Sequence, residues 1–204
     1  MKRDITIGIT GGIGAGKSVV SRVLRCNGFV VYDCDREAKN LMRYNKSLKD
    51  LIIDHFGEEV YKPDGELNKS LLASLIFNSN SDRDFVNTCV HEEVRKDILR
   101  RRKSVEGYFF IESAILATGG IEGMCQFIWL VKAPDDKRIE RVMTRDNLEK
   151  TSIENRMNIQ KQELSQLDMK KTVIIKNDGT SPMLGTILKL TEKYNNHQTY
   201  LLSC

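Results

Sequence analysis

The sequence predicts an α/β fold in which a parallel sheet carries helices on both faces. Three observations lead there. Five short apolar segments of strand length recur along the 204 residues. Amphipathic helical patterns separate them. The first strand runs directly into a glycine-rich loop that opens a helix. Strands joined by helices pair in parallel, and such sheets take ligands outside the carboxyl ends of their strands.

The first strand rests on Ile5, Ile7 and Ile9, which alternate. GGIGAGKS at 11–18 follows and fits G-x-x-x-x-G-K-[ST] in full. Val19, Val20, Val23 and Leu24 continue at helical spacing. Strand, glycine loop and helix together make this a phosphate site rather than a chance turn. Glycines let backbone N–H groups curl around phosphate oxygens, where a Cβ would block the approach. The helix that opens there adds unpaired N–H groups and a positive dipole end. Gly12, Ile13, Gly14, Ala15, Gly16, Lys17, Ser18 and Val19 are the expected cradle for the phosphates of ATP. Lys17 supplies a mobile cation for the transferring phosphate, and the hydroxyl of Ser18 is the expected ligand of Mg²⁺.

Asn27-Gly28 ends the first helix, with Gly28 suited to a left-handed terminus. The apolar run 29–32 reads as a second strand that stops at Asp33. From 35 to 103 only helices and turns are expected. Leu48, Leu51, Ile52 and Phe56 mark one helix, and Leu71, Leu72, Leu75 and Ile76 another. Val86, Val90, Val94 and Ile98 repeat every fourth residue along a longer helix that starts near Ser81. Strands follow at 108–111 and 127–131. The stretch 135–145 reads as a charged helix, and Thr151 with Glu154 reads as a capping box opening the next. A last strand at 173–175 leads to the turn Asn177-Asp178-Gly179 and a final amphipathic helix.

The chain is most simply one domain, 1–204, with an inserted helical substrate-binding region at 35–103. That stretch is too long for a plain crossover. Residues 135–168 are arginine-rich and weakly apolar, which suits a lid over phosphates. Net charge is +4, mild enough to argue against a nucleic-acid partner and suited to polyanionic small molecules. The basic run at 100–103 falls in the last turn of a helix, where cations suit the dipole. The five cysteines, Cys204 among them, are scattered with no C-x-x-C, so reduced thiols are expected. No apolar run reaches the roughly 20 residues of a membrane span. A cytoplasmic protein without a leader is the expectation, as a monomer or weak homo-oligomer.

Asp33 ends the second strand and is expected to face the same crevice as the phosphate loop. A carboxylate there can take the proton of an attacking hydroxyl. The rival reading is a helix N-cap, a role given to Asp35 instead. Arg138, Arg141 and Arg145 share one helical face. Arg145 is the expected cation for the γ-phosphate oxygens, and Arg138 is expected to face solvent. Asp54-His-Phe-Gly57 imitates a GTP switch, but no N-K-x-D accompanies it. Glu112 ends the third strand, where a metal-side acid and a structural cap are equally open.

Taken in order, several motifs resemble the dephospho-coenzyme A kinase family over most of the chain. They are TGGIGAGKS, VYDCD with Asp33 and Asp35, VHEEVR with His91, RVMTRD at 141–146 and VIIKNDG at 173–179. The resemblance implies a three-layer P-loop kinase fold with a parallel five-stranded sheet, an inserted helical substrate domain and a lid. It implies transfer of the γ-phosphate of ATP to the ribose 3′-hydroxyl of dephospho-coenzyme A. It further implies that Asp33 is the base, that His91 and Arg95 hold the acceptor, that Arg141 and Arg145 belong to the lid, and that Asn177 lies near adenine. Two departures fall on the acceptor side. Glu92 follows His91 where the family has Pro, and 114–118, from Ala114 to Thr118, replaces Pro-Leu-Leu-x-Glu. The alternatives are another small-molecule kinase with the same loop, or a slowly hydrolysing nucleotide switch.

Overall fold

In the computed structural model, which describes residues 4–195, five parallel strands form one sheet in the order β2-β3-β1-β4-β5. They are β1 (Ile5–Thr10), β2 (Val30–Asp33), β3 (Tyr108–Glu112), β4 (Phe127–Lys132) and β5 (Thr172–Lys176). β1 lies at the centre, with Ile7 opposite Phe110 on one side and Phe127 on the other. The chain leaves β1 toward β2 and later crosses back to β4. β1 therefore marks the switch point where such sheets bind ligands.

Both faces of the sheet are buried, so the strands read as near-continuous apolar runs. Ile7, Ile9, Phe110, Trp129, Val131 and Ile175 form one layer with Val20 and Leu24 of α1 (Lys17–Cys26) and Ile187 of α8 (Met183–Asn195). Phe110 sits between Phe29 and Trp129, with ring centroids 5.4 and 5.3 Å away. On the opposite face Gly8 leaves room for Leu116 and Cys125, since a Cβ there would lie 2.7 Å from Leu116 Cδ2.

α1 ends as its sequence predicts. Gly28 has φ 81°, its N–H donates to Arg25, and the Phe29 N–H donates to Leu24. That pair of bonds is a Schellman motif, which satisfies carbonyls the helix would leave open. A difference from expectation concerns α7 (Lys150–Ser165). It opens at Glu149 with no side-chain cap, and Ile153 N donates to Glu149 O at 3.2 Å. Thr151 already lies inside the helix, so it cannot be the extended cap residue that a capping box needs.

The chain divides into two compact units, one of residues 1–32 with 105–204 and one of residues 33–104. The second unit consists of α2 (Cys34–Tyr44), α3 (Lys46–Phe56), α4 (Lys69–Asn78) and α5 (Asn80–Arg102), with an isolated antiparallel bridge between Tyr61 and Leu67. Asn45 serves two helices. It ends α2 and caps α3, accepting from Leu48 N at 3.0 Å. Glu37 is 4% exposed and binds Arg101, which also pairs with buried Asp97, so α2 is fastened to α5. Ser79 caps α5 two residues before the start that periodicity indicated.

Cys26, Cys34, Cys89 and Cys125 are free thiols, and Cys204 lies outside the described residues. Among the described residues no helix is long and apolar enough to cross a membrane.

Candidate functional site

The glycine loop leaves the end of β1 and turns into α1 with Gly16 at the N-cap. Gly16 has φ 103°, in the left-handed region that glycine tolerates best. A Cβ there would also strike Nδ2 of Asn177. Gly14 has φ 75°, and a Cβ on it would fall 2.6 Å from the backbone oxygen of Arg138. Among the described residues no side chain caps α1, so its first N–H groups and dipole are directed at the loop's hollow. Lys17 folds back over this hollow, its Nζ donating to Gly11 O at 2.7 Å and Gly12 O at 3.4 Å. Ser18 is exposed one residue further on. Oxygen anions have both a cradle and a cation here.

The loop is gripped from outside by later parts of the chain. Arg138 and Arg141 lie on α6 (Asp135–Asp146). Arg138 Nε donates to Ile13 O at 2.9 Å, its Nη1 binds Asp135, and its Nη2 packs on Gly12. Only 12% of its side chain is exposed. Arg141 reaches Gly14 O at 3.4 Å and Asn177 O at 3.2 Å. Asn177 Nδ2 donates to Ala15 O at 2.8 Å. The turn beyond it is fixed by Asp178, whose carboxylate accepts from Thr180 and Ser181. Those backbone N–H groups hold the Asp178 carboxyl well below the usual carboxylate range.

Two expectations are corrected here, that Arg138 faces solvent and that Asp35 caps α2. Arg138 does not face solvent but lies against the loop. Arg145 is turned to its neighbour Asp146, at 2.7 Å, and is 61% exposed, so the structure does not bring it to the loop. One turn of helix separates each arginine from the next. The cap of α2 is Asp33, not Asp35: Asp33 Oδ1 accepts from Arg36 N at 3.1 Å. Asp33 is the last extended residue, with φ −97° and ψ 103°, while Asp35 is already helical.

His91 and Arg95 both lie on α5 one turn apart, beside the buried positions Val90 and Val94. Burial, then the Arg95 guanidinium, lowers the His91 pKa. The imidazole is neutral at pH 7, which leaves positive charge on this face to Arg95. Asp54 and Gly57 close α3 as an ordinary helix end.

Two polar residues of α7 are not indicated by any motif. Gln160 Oε1 accepts from the Ile13 N–H at 2.6 Å. Glu163 is 4% exposed and accepts from Ala117 N at 2.6 Å and Thr118 N at 2.9 Å. The only trace in the sequence is Ile13 itself, an apolar side chain inside a glycine loop, which requires a hydrophobic neighbour.

Known proteins carry the same plan. The sequence profile of the family described as Dephospho-CoA kinase matches residues 5–182. A dephospho-CoA kinase of Moorella thermoacetica is 35% identical over 173 residues, 82% of each chain. One of Porphyromonas gingivalis is 41% identical over 162 residues, 79% of this chain and 80% of its own. A crystal structure from Thermus thermophilus superposes with a TM-score of 0.75 at 28% identity, covering 94% of this chain and 97% of its own. The dephospho-CoA kinase of Campylobacter jejuni shares the fold, with a TM-score of 0.69 at 20% identity over 95% of this chain and 98% of its own. With a complete phosphate loop, a matched profile and relatives above 30% identity over most of their length, the chain belongs to the dephospho-CoA kinase family.

Proposed function

We propose that the chain transfers the γ-phosphoryl group of ATP to the ribose 3′-hydroxyl of dephospho-coenzyme A, giving ADP and coenzyme A. The observation that carries the reading is the phosphate loop, already shaped and braced, in a chain of this family. Phosphoryl transfer asks little covalent chemistry of a protein. Positioning and charge compensation supply most of the rate.

The division of labour follows from the residues. The loop N–H groups and the α1 terminus hold the phosphates. Lys17 exchanges its carbonyl partners for phosphate oxygens, so its charge acts where negative charge develops. Arg141, the guanidinium that already touches Gly14 and Asn177, assists on the loop side. Arg145 joins only after releasing Asp146. Asp33 is the base for the acceptor hydroxyl. Its place at the carboxyl end of β2 is where parallel sheets present catalytic side chains. His91 and Arg95 belong to the helical unit that takes the acceptor, with Arg95 as the charged member.

The donor set fits Mg²⁺, since Ser18 offers an exposed hydroxyl oxygen directly after Lys17. Held there, such an ion would neutralise charge on the transferring phosphate.

The test is a single incubation with Mg-ATP and dephospho-coenzyme A, read by mass. ADP and coenzyme A should appear in equal amounts. Lys17→Ala, folded by circular dichroism, should lower turnover roughly a hundredfold or more. Release of ADP with no phosphorylated acceptor would overturn the reading in favour of a hydrolase.

A further inference from the structure

Ile13 is the residue of the phosphate loop furthest from being explained by phosphate binding. Its side chain packs on the buried cluster of Val142, Ile153 and Met157, between α6 and α7. Its N–H is taken by Gln160 of α7 at 2.6 Å, and its carbonyl by Arg138 of α6 at 2.9 Å. One loop residue is thus held at three points, side chain, donor and acceptor, by two helices more than a hundred residues away in sequence. We propose that Gln160 and Arg138 are positioning residues for ATP, which act by fixing the backbone of Ile13 so that the neighbouring loop N–H groups are already aimed at the phosphates.

The physical case has three parts. First, a backbone N–H and C=O in a partly buried loop need partners, and Ile13 finds both in side chains rather than in a ladder. Second, a short loop rich in glycine has the largest entropy to lose on ordering, so holding it ready before ligand arrives raises affinity. Third, the side chain of Arg138 is nearly buried although it carries a charge. An arginine held in that way, with Asp135 as its counter-ion, is spent on geometry rather than on solvation. The Ile13 N–H is therefore already satisfied by protein, and the phosphates are left to the N–H groups beyond it.

This inference rests on the reading that the loop binds ATP. Its test measures binding without any acceptor, so a wrong acceptor would not affect the result. Gln160→Met keeps length and apolar contact but removes the strong acceptor. Arg138→Met removes the donor to the Ile13 carbonyl. Calorimetric titration with the non-hydrolysable Mg-ATP analogue AMPPNP should show each variant binding about tenfold more weakly, the scale of one lost buried hydrogen bond. In kinetics, KM for ATP should rise while KM for the acceptor stays put. Amide exchange at Ile13 and Gly14 in the nucleotide-free protein should quicken in both variants. The double variant should lose clearly less than the product of the two single losses, because both act through one residue.

Two results would overturn the proposal. Tighter nucleotide binding in Gln160→Met would mean that Gln160 competes with phosphate for the Ile13 N–H. Unchanged nucleotide affinity, accompanied only by a lower melting temperature, would reduce both residues to ordinary packing.

Discussion

Replacing Glu163 with alanine should be among the more destabilising single changes in the first unit. Glu163 sits on α7 at 4% exposure, with one carboxylate oxygen on Ala117 N at 2.6 Å and the other on Thr118 N at 2.9 Å. Hydrogen bonds to a charged acceptor contribute about 1.5–3 kcal/mol each. The two are not equivalent once the carboxylate is gone. Thr118 is exposed, so water can reach its N–H and recover much of the loss. Ala117 is only partly exposed and recovers less. Removing the carboxylate also removes the burial cost of its charge. The net expectation is about 2–4 kcal/mol for Glu163→Ala. Glu163→Gln keeps one acceptor oxygen but turns an NH₂ toward the other N–H, and should cost about half as much. For a chain of this length about 2–4 °C of melting temperature goes with each kcal/mol, so alanine should lower it by roughly 5–15 °C. Urea denaturation followed by circular dichroism gives the free energy directly. A change below about 0.5 kcal/mol for alanine, the range of an ordinary surface substitution, would refute the reasoning.

Asp33→Asn should separate the cap that the structure shows from the base that we propose. Asparagine caps a helix about as well as aspartate, so stability should hold within a few tenths of a kcal/mol, while turnover falls roughly a hundred- to ten-thousand-fold and ATP affinity barely moves. Near-normal phosphorylation by this variant would leave Asp33 as a cap alone. His91 makes the helical unit acid-sensitive. Its pKa is depressed by burial and by Arg95, so the unfolded chain takes up the proton first as pH falls. Stability from this group is complete above the unfolded value near 6.5, is lost as pH drops toward the folded value, and then levels off. His91→Gln should flatten that part of the curve in urea midpoints measured from pH 7.5 to 5, and an identical slope in both proteins would sink the assignment.

Much of the fold was legible because the signals were local. Ile5, Ile7 and Ile9 alternate, the glycine loop has a fixed spacing, and Asn27-Gly28 is a terminus that chemistry nearly dictates. One strand start moved by a residue: β2 begins at Val30 rather than at Phe29, and it ends at Asp33 as expected. What failed depended on contacts distant in sequence. Arg138 and Arg145 share a helical face, and only the position of the loop decides that Arg138 lies against it. Gln160 and Glu163 carry no motif, because a side chain that accepts from a remote backbone N–H leaves no trace of its partner. The capping-box pattern at Thr151 and Glu154 failed for a different reason. The helix simply begins two residues earlier, at Lys150 with Glu149 as its N-cap, and the pattern is absorbed into its first turn.

Gly12 differs in kind from Gly14 and Gly16. Those two have positive φ, whereas Gly12 is not among the residues with left-handed backbone. What excludes a side chain at 12 is the Arg138 guanidinium packed over its Cα. The constraint on this glycine is therefore conditional on another residue. A change at 12 that is ruinous beside arginine becomes tolerable beside a shorter residue at 138. Positions 12 and 138 should accordingly drift together in evolution, each setting which substitutions the other accepts, while 14 and 16 stay fixed by their own dihedral angles whatever surrounds them.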